Sequence, residues 1–196
     1  TAYGDEVFNQ LRSTEVDFSQ GALRLTGADT DLALDGEGFF VVDVDGVEHF
    51  TRAGAFERDA TGQLSARVEG TLRPVMGVGG PIAIPPGSFD VAQDGRVIDG
   101  DGGEIGSLRL VAFADPQRLE RLGSTLYADP SGAAGIRDLL PGETSVRQRA
   151  LELSNADPVM SLVEMIEIQR AYQAVAKSMS TADEAQARRV SLSMNA

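Results

Sequence analysis

Cysteine and tryptophan are absent from the 196 residues, histidine occurs once, and 17 Lys and Arg face 30 Asp and Glu. Each scarcity closes a class of function. Without cysteine there is neither a disulfide framework nor a thiolate metal site, although that absence suits reducing and oxidising surroundings alike. With His49 as the only histidine, no histidine pair for a metal, no cysteine–histidine pair and no serine–histidine–aspartate triad forms within one chain unless that residue serves. Its setting in Glu48-His49-Phe50 reads as a surface histidine on an edge strand. A formal charge of -13 and a pI near 4.4 argue against nucleic acid and anionic membranes, because phosphate binding depends on clustered Lys and Arg. Arg188-Arg189 is too short a cluster to reverse that. No run of about eighteen apolar residues and no basic, apolar N-terminus occurs, so neither a membrane span nor a signal peptide is expected.

What is present is turn chemistry. Short β-prone runs at Leu32-Ala33-Leu34, 39–44, 48–51, 63–66 and 71–75 are separated by Asp35-Gly36, Asp45-Gly46, Thr61-Gly62 and Glu69-Gly70. Glycine supplies the positive backbone angles of tight hairpins, so these spacings predict an antiparallel meander. It continues through 82–84, 89–91, 96–98 and 105–113, with Asp94-Gly95 as another hairpin signal. In 107–113, Leu108, Leu110 and Ala112 alternate with Arg109, Val111 and Phe113, as a strand requires. Asp115-Pro116 through Gly123 has the cap, first-position proline and terminal glycine of a short helix.

After Ser154-Asn155-Ala156-Asp157-Pro158 the pattern changes. Asp157 and Pro158 read as N-cap and first residue of a helix running to about Ser191 without a glycine or second proline. Within it Met165, Ile168, Tyr172, Val175, Met179 and Ala182 recur at alternating steps of three and four, which is a coiled-coil seam and the expected assembly interface. Nothing earlier offers a comparable helix to cover it, so its partner lies on another segment or subunit. The expected fold class is mainly β with a long C-terminal α-helix, an antiparallel β domain plus a coiled-coil terminal segment. The expected division is an extended connector at 1–30, the β domain at 31–123, an extended connector and return segment at 124–157, and the helix at 158–196.

Sites for chemistry fare worse. Asp99-Gly100-Asp101-Gly102-Gly103-Glu104 gathers carboxylates, but a calcium loop wants glycine sixth and glutamate twelfth, where Glu104 and Leu110 stand; a hairpin tip fits better. Gly77-Val78-Gly79-Gly80 is followed by Pro81 and a strand rather than a helix N-terminus, so it is a turn and not a phosphate cradle. Glu164, Glu167 and Arg170 are spaced to pair on a solvated helix face. No catalytic residue, cofactor or metal is expected.

Six ordered blocks carry a resemblance: Val16-Asp17-Phe18-Ser19-Gln20-Gly21 and on to Gly27, Asp31 to Phe40 with its Asp35-Gly36-Glu37-Gly38-Phe39-Phe40, Phe50-Thr51-Arg52-Ala53-Gly54-Ala55-Phe56, Asp59-Ala60-Thr61-Gly62-Gln63-Leu64, Leu151-Glu152-Leu153-Ser154-Asn155, and Glu164 to Tyr172. The chain is similar to the axial proteins of the bacterial flagellar rod and hook, above all the FlgF and FlgG types. Residues 79–88 and the ending from Thr181 look like FlgF, the proximal rod type, whereas Phe113-Ala114-Asp115-Pro116 looks like FlgG. The resemblance implies a structural subunit that stacks helically into a hollow rod crossing the periplasm and transmitting torque. Implied partners are other copies of itself, other rod and hook proteins, and the flagellar type III export apparatus. It also implies that the two terminal segments pair into an inner coiled-coil layer; the helical segment that opens the family has no counterpart in these residues. The alternatives are a distal rod or hook subunit and, from a different class, a secreted β-domain binding module using the acidic loops.

Overall fold

Asp45-Gly46 and Glu69-Gly70 each carry two consecutive positive φ angles, 57° and 85°, then 48° and 85°, the type I′ geometry whose twist matches antiparallel strands. A computed structural model describes residues 16–123, 125–156 and 158–194, with side chains of the terminal helix described at 160–163 and 165–179. The strands, in chain order, are β1 (Leu23–Leu25), β2 (Leu32–Asp35), β3 (Phe39–Val44), β4 (Val47–Thr51), β5 (Phe56–Arg58), β6 (Leu64–Val68), β7 (Thr71–Pro74), β8 (Met76–Gly77) and β9 (Gly80–Pro81). They continue as β10 (Phe89–Val91), β11 (Arg96–Asp99), β12 (Glu104–Ser107), β13 (Leu110–Phe113), β14 (Glu120–Leu122), β15 (Leu126–Ala128), β16 (Ile136–Asp138), β17 (Ser145–Gln148) and β18 (Ala150–Glu152). One helix, α1 (Pro158–Met194), follows. The chain divides into two compact units between Asn155 and Ala156.

Every pairing of these strands is antiparallel, and the largest sheet has six strands in the order β14-β15-β4-β3-β13-β16. The hairpins β3-β4, β5-β6, β6-β7 and β10-β11 sit where the turn dipeptides put them. Four expectations change. Asp35-Gly36 does not close a hairpin: β2 pairs with β17 across more than a hundred residues of sequence. The run 105–113 is two strands, because at Leu108 and Arg109 the chain leaves β11 for β3; the alternation still holds, with Leu108 and Leu110 in one core and Val111 and Phe113 at the other. The helix expected at 115–123 is one 3-10 turn, Pro116–Arg118, without a side-chain cap from Asp115, whose carboxylate instead binds Arg118 at 2.9 Å. Glu120 to Leu122 then joins the large sheet, so Gly123 ends a strand rather than a helix. The span 124–157, read as a connector, supplies β15 to β18. Thr1 to Gln10 and the N-cap Asp157 lie outside the described residues.

Strand β3 explains how one domain holds two cores. Phe40 and Val42 face a core with Leu32, Leu34, Phe56, Leu64, Val75 and Val97, while Phe39 and Val41 face Phe50 and Val111. A strand covered on both sides reads as a continuous apolar run, as Phe39-Phe40-Val41-Val42 does. We expect Leu64→Ala, at a fully buried site, to cost about 2–5 kcal/mol in urea denaturation.

The turn before β6 predicts the acid limb. The Asp59 carboxylate accepts from the Thr61 hydroxyl at 2.7 Å and from the Gln63 and Thr61 N–H groups at 2.9 and 2.8 Å, and the first two hold its pKa below the ordinary 3.8. A depressed carboxylate contributes stability that is present above its unfolded pKa and lost as pH falls through the folded value. Asp59→Asn should therefore lower the melting temperature at neutral pH, where the carboxylate contributes, and flatten its further loss below about pH 4, so that variant and wild type converge in acid.

Candidate assembly site

Antiparallel pairing of β1 with β18 brings the incoming and returning chain to the same end of the β unit: Leu23, Arg24 and Leu25 stand opposite Glu152, Leu151 and Ala150. Beyond the ladder the two segments stay together. Leu153 N–H donates to Ala22 O at 2.9 Å, and the Asn155 amide donates to Asp17 O and Ser19 O, each at 3.0 Å. Gly21 is required by this approach, since a Cβ there would stand 1.8 Å from Leu153 O.

One charged pair binds these segments to the sheet. Arg52, just past β4, donates Nε to Glu152 Oε2 at 2.9 Å and Nη2 to Oε1 at 3.2 Å, a two-point fork on a carboxylate. Its other hydrogens go to Gly38 O at 3.0 Å and Gly36 O at 3.1 Å. Those carbonyls face Arg52 because Gly36 and Gly38 adopt φ of 130° and 131°, which side chains other than glycine's resist. Glu152 Oε1 also accepts the Gly21 N–H at 2.8 Å, and Gln20 bridges Gly36 N–H and Leu34 O at 3.0 and 3.2 Å. With side chains only 16% and 10% exposed, Arg52 and Glu152 form the most enclosed ion pair among the described residues. Phe18 completes the seat, its ring 5.8 Å from Phe39 and 5.3 Å from Tyr127. A surface cleft of about 280 Å³ lies alongside, lined by residues that include Phe18, Arg52, Tyr127 and Asn155.

Sequence reasoning did not find Arg52, Glu152, Gln20 or Asn155 as a site. Their signal was there: each falls inside one of the ordered blocks.

Five residues of the expected seam, Met165, Ile168, Tyr172, Val175 and Met179, stand exposed on α1, Ile168 at 70% and Tyr172 at 76%. The side chain of Ala182 lies outside the described residues. Met160, Leu162, Val163 and Ile166 are exposed as well, so the first half of α1 carries apolar side chains beyond the stripe. No helix among the described residues is long and apolar enough to cross a membrane.

The remaining candidates are turns and strand positions. Asp99 Oδ1 accepts the N–H groups of Asp101 and Gly103 at 3.0 and 2.7 Å, closing the hairpin tip, and among the described residues no three His, Asp or Glu gather for a metal ion. Gly77 and Gly80 are the paired ends of the β8-β9 hairpin. His49 is not on an edge: β4 lies between β3 and β15, where His49 is half-buried with Nδ1 3.0 Å from Val47 O.

Removing Arg52 leaves a shielded carboxylate and two carbonyls without their donor. Arg52→Ala should cost about 3 kcal/mol or more by urea denaturation. Arg67→Ala, which breaks an exposed pair with Glu57, should be hard to tell from wild type.

Comparison with known proteins gives this arrangement its context. Residues 147–191 match the family model described as flagellar basal body rod FlgEFG protein C-terminal, and residues 33–99 the one described as flagellar hook protein FlgE/F/G D1 domain. The flagellar basal-body rod protein FlgG of Buchnera aphidicola (from Schizaphis graminum) is 36% identical over 183 residues, covering 88% of this chain and 68% of the relative. FlgG of Bacillus subtilis is 38% identical, covering 85% and 66%, and FlgF of Caulobacter vibrioides is 37% identical, covering 83% and 64%. The chain thus spans about two thirds of the length of these curated relatives.

Proposed function

The chain belongs to the FlgE/F/G family of flagellar rod and hook proteins, and we propose that it works as a structural subunit of the basal-body rod, assembling with other axial proteins and catalysing nothing. The observation that carries this reading is the exposed apolar stripe on α1 in a chain whose β unit already has its own buried cores. A helix gains most of its stability by burying an apolar face, and an open helical tube needs heterologous contacts between unlike surfaces. A stripe of this kind meets both needs at once.

Finer points belong to the same reading. Residues 158–196 form the inner segment, covered in a coiled-coil manner by helices of neighbouring subunits, and the outer β domain is built from 31–123 together with the strands of the return segment 124–157. The subunit reaches the periplasmic rod through the flagellar export apparatus. Its type is proximal, FlgF-like, on the strength of residues 79–88 and the ending from Thr181, since identity to FlgF and FlgG relatives is level.

Replacing Ile168 and Val175 by Asp places two charges in a surface that must be desolvated, at several kcal/mol each. In a strain lacking the gene, the double variant should restore neither rods nor swimming, while the melting transition of the purified β unit stays at its wild-type position. Normal swimming would remove the helix from the assembly surface. A binding module would instead remain monomeric at every concentration and shift its melting temperature with a carbohydrate ligand.

A further inference from the structure

The Arg52–Glu152 pair does more than join two strands. Glu152 lies on the returning strand, Gly21 on the incoming connector, and Arg52 on the sheet, and the one carboxylate binds both of the others. Besides it, the incoming connector is held by the Phe18 ring, by the amides of Asn155 and Gln117, and by the Leu153 N–H on Ala22 O. Every residue of β1 is exposed, Leu25 at 84%, and β1 pairs with β18 alone. Arg52 also holds the Gly36-Glu37-Gly38 bend, to which Gln20 of the incoming connector is bonded. Losing the guanidinium therefore loosens the bend, the incoming connector and the returning strand together.

We propose that Arg52 is a positioning residue for assembly: through Glu152 and the Gly36 and Gly38 carbonyls it seats both connectors on one end of the β unit, so that Asp17 of the incoming connector and Asn155 of the returning one stay side by side. The proposal rests on the structural-subunit reading above and deepens it. A subunit whose connectors are unseated still folds its two cores, but offers its terminal segments to a neighbour from a scattered set of starting points. Apparent affinity then falls by the fraction of subunits that are seated.

The absence of cysteine makes a direct test available. The bonds Thr26 N–H to Arg149 O and Leu153 N–H to Ala22 O place 25/150 at a non-hydrogen-bonded pair, the closer kind in an antiparallel ladder. A disulfide in Leu25→Cys/Ala150→Cys thus ties incoming to returning strand independently of Arg52. Three versions of the full chain are compared in a strain lacking the gene: Arg52→Gln, the cysteine pair alone, and the cysteine pair with Arg52→Gln, with bond formation checked by non-reducing electrophoresis. Nitroxide labels on Asp17→Cys/Ser154→Cys in the otherwise cysteine-free purified protein report the spacing of the connectors, once with Arg52 retained and once in the Arg52→Gln background.

The label distance should be short and narrow with Arg52 and broad in Arg52→Gln, while near-ultraviolet circular dichroism shows the cores still packed. If a tenth of the subunits remain seated, assembled rods should fall roughly tenfold. The disulfide should restore them in the Arg52→Gln background. Wild-type rod numbers in Arg52→Gln overturn the proposal. So does a cross-linked Arg52→Gln chain that folds yet assembles no better than the uncrosslinked one, while the cysteine pair alone assembles normally. If Arg52→Gln does not fold by itself, the cross-linked version decides by the same criterion. Failure of the underlying reading is separate: it appears as normal rods in the Ile168→Asp/Val175→Asp chain.

Discussion

The carboxylate of Glu152 is where the molecule is tied together. It is shared between a guanidinium from the sheet and an N–H from a connector more than a hundred residues earlier, and both ends of the β unit's chain depend on that sharing. A surface ion pair contributes little because water competes for each partner. Here the two side chains are largely shielded, the geometry is a fork, and the spare hydrogens of the guanidinium are taken up by two carbonyls. Four groups that would each be costly to leave unmade satisfy one another, which concentrates on one spot the energy for closing very long loops.

That arrangement explains features of the sequence that look unrelated along the chain. The two glycines of Asp35-Gly36-Glu37-Gly38 serve to point carbonyls at Arg52, and Gly21 serves because Leu153 O leaves no room for a side chain. Phe18 fills the gap against Phe39 and Tyr127, and the amide of Asn155 reaches back to Asp17 and Ser19. Four of the six blocks by which the chain resembles rod and hook proteins therefore meet at one place, and a fifth, from Asp59, builds the turn ahead of β6. What these positions build in this chain is a junction of two connectors and a sheet.

Much of the fold was legible because hairpins are local. Asp45-Gly46, Glu69-Gly70 and Asp94-Gly95 each dictate a turn within four residues, and the strands beside them follow. The illegible parts are all long-range. Nothing near Asp35-Gly36 says that β2 will choose β17, and nothing in 105–113 marks the point where the chain changes partners, since both halves alternate correctly. Pro116 to Gly123 failed for the opposite reason: its local helix signals are genuine, but pairing of Glu120 to Leu122 with β15 overrides propensity after one turn. The junction stayed hidden because its members come from four distant stretches, and an arginine or a glutamate in a strand ordinarily faces solvent.

The terminal helix poses a separate problem of what covers it. The alternating stripe from Met165 to Met179 is the width of a single coiled-coil seam, and one neighbouring helix would bury it. Leu162 and Ile166 lie to one side of that stripe, about 60° and 100° around the axis from Met165, and Met160 and Val163 extend the apolar surface further. Glu164, Glu167, Arg170 and Lys177 leave the remaining face of the helix polar. Beyond Ala182 the sequence turns to Asp183-Glu184, Gln186 and Arg188-Arg189, with small alanines between. Along about 55 Å of helix the sequence is thus more apolar over the first half than over the second. On the proposed reading, a helical tube in which each subunit meets several others at different heights would match such a graded surface.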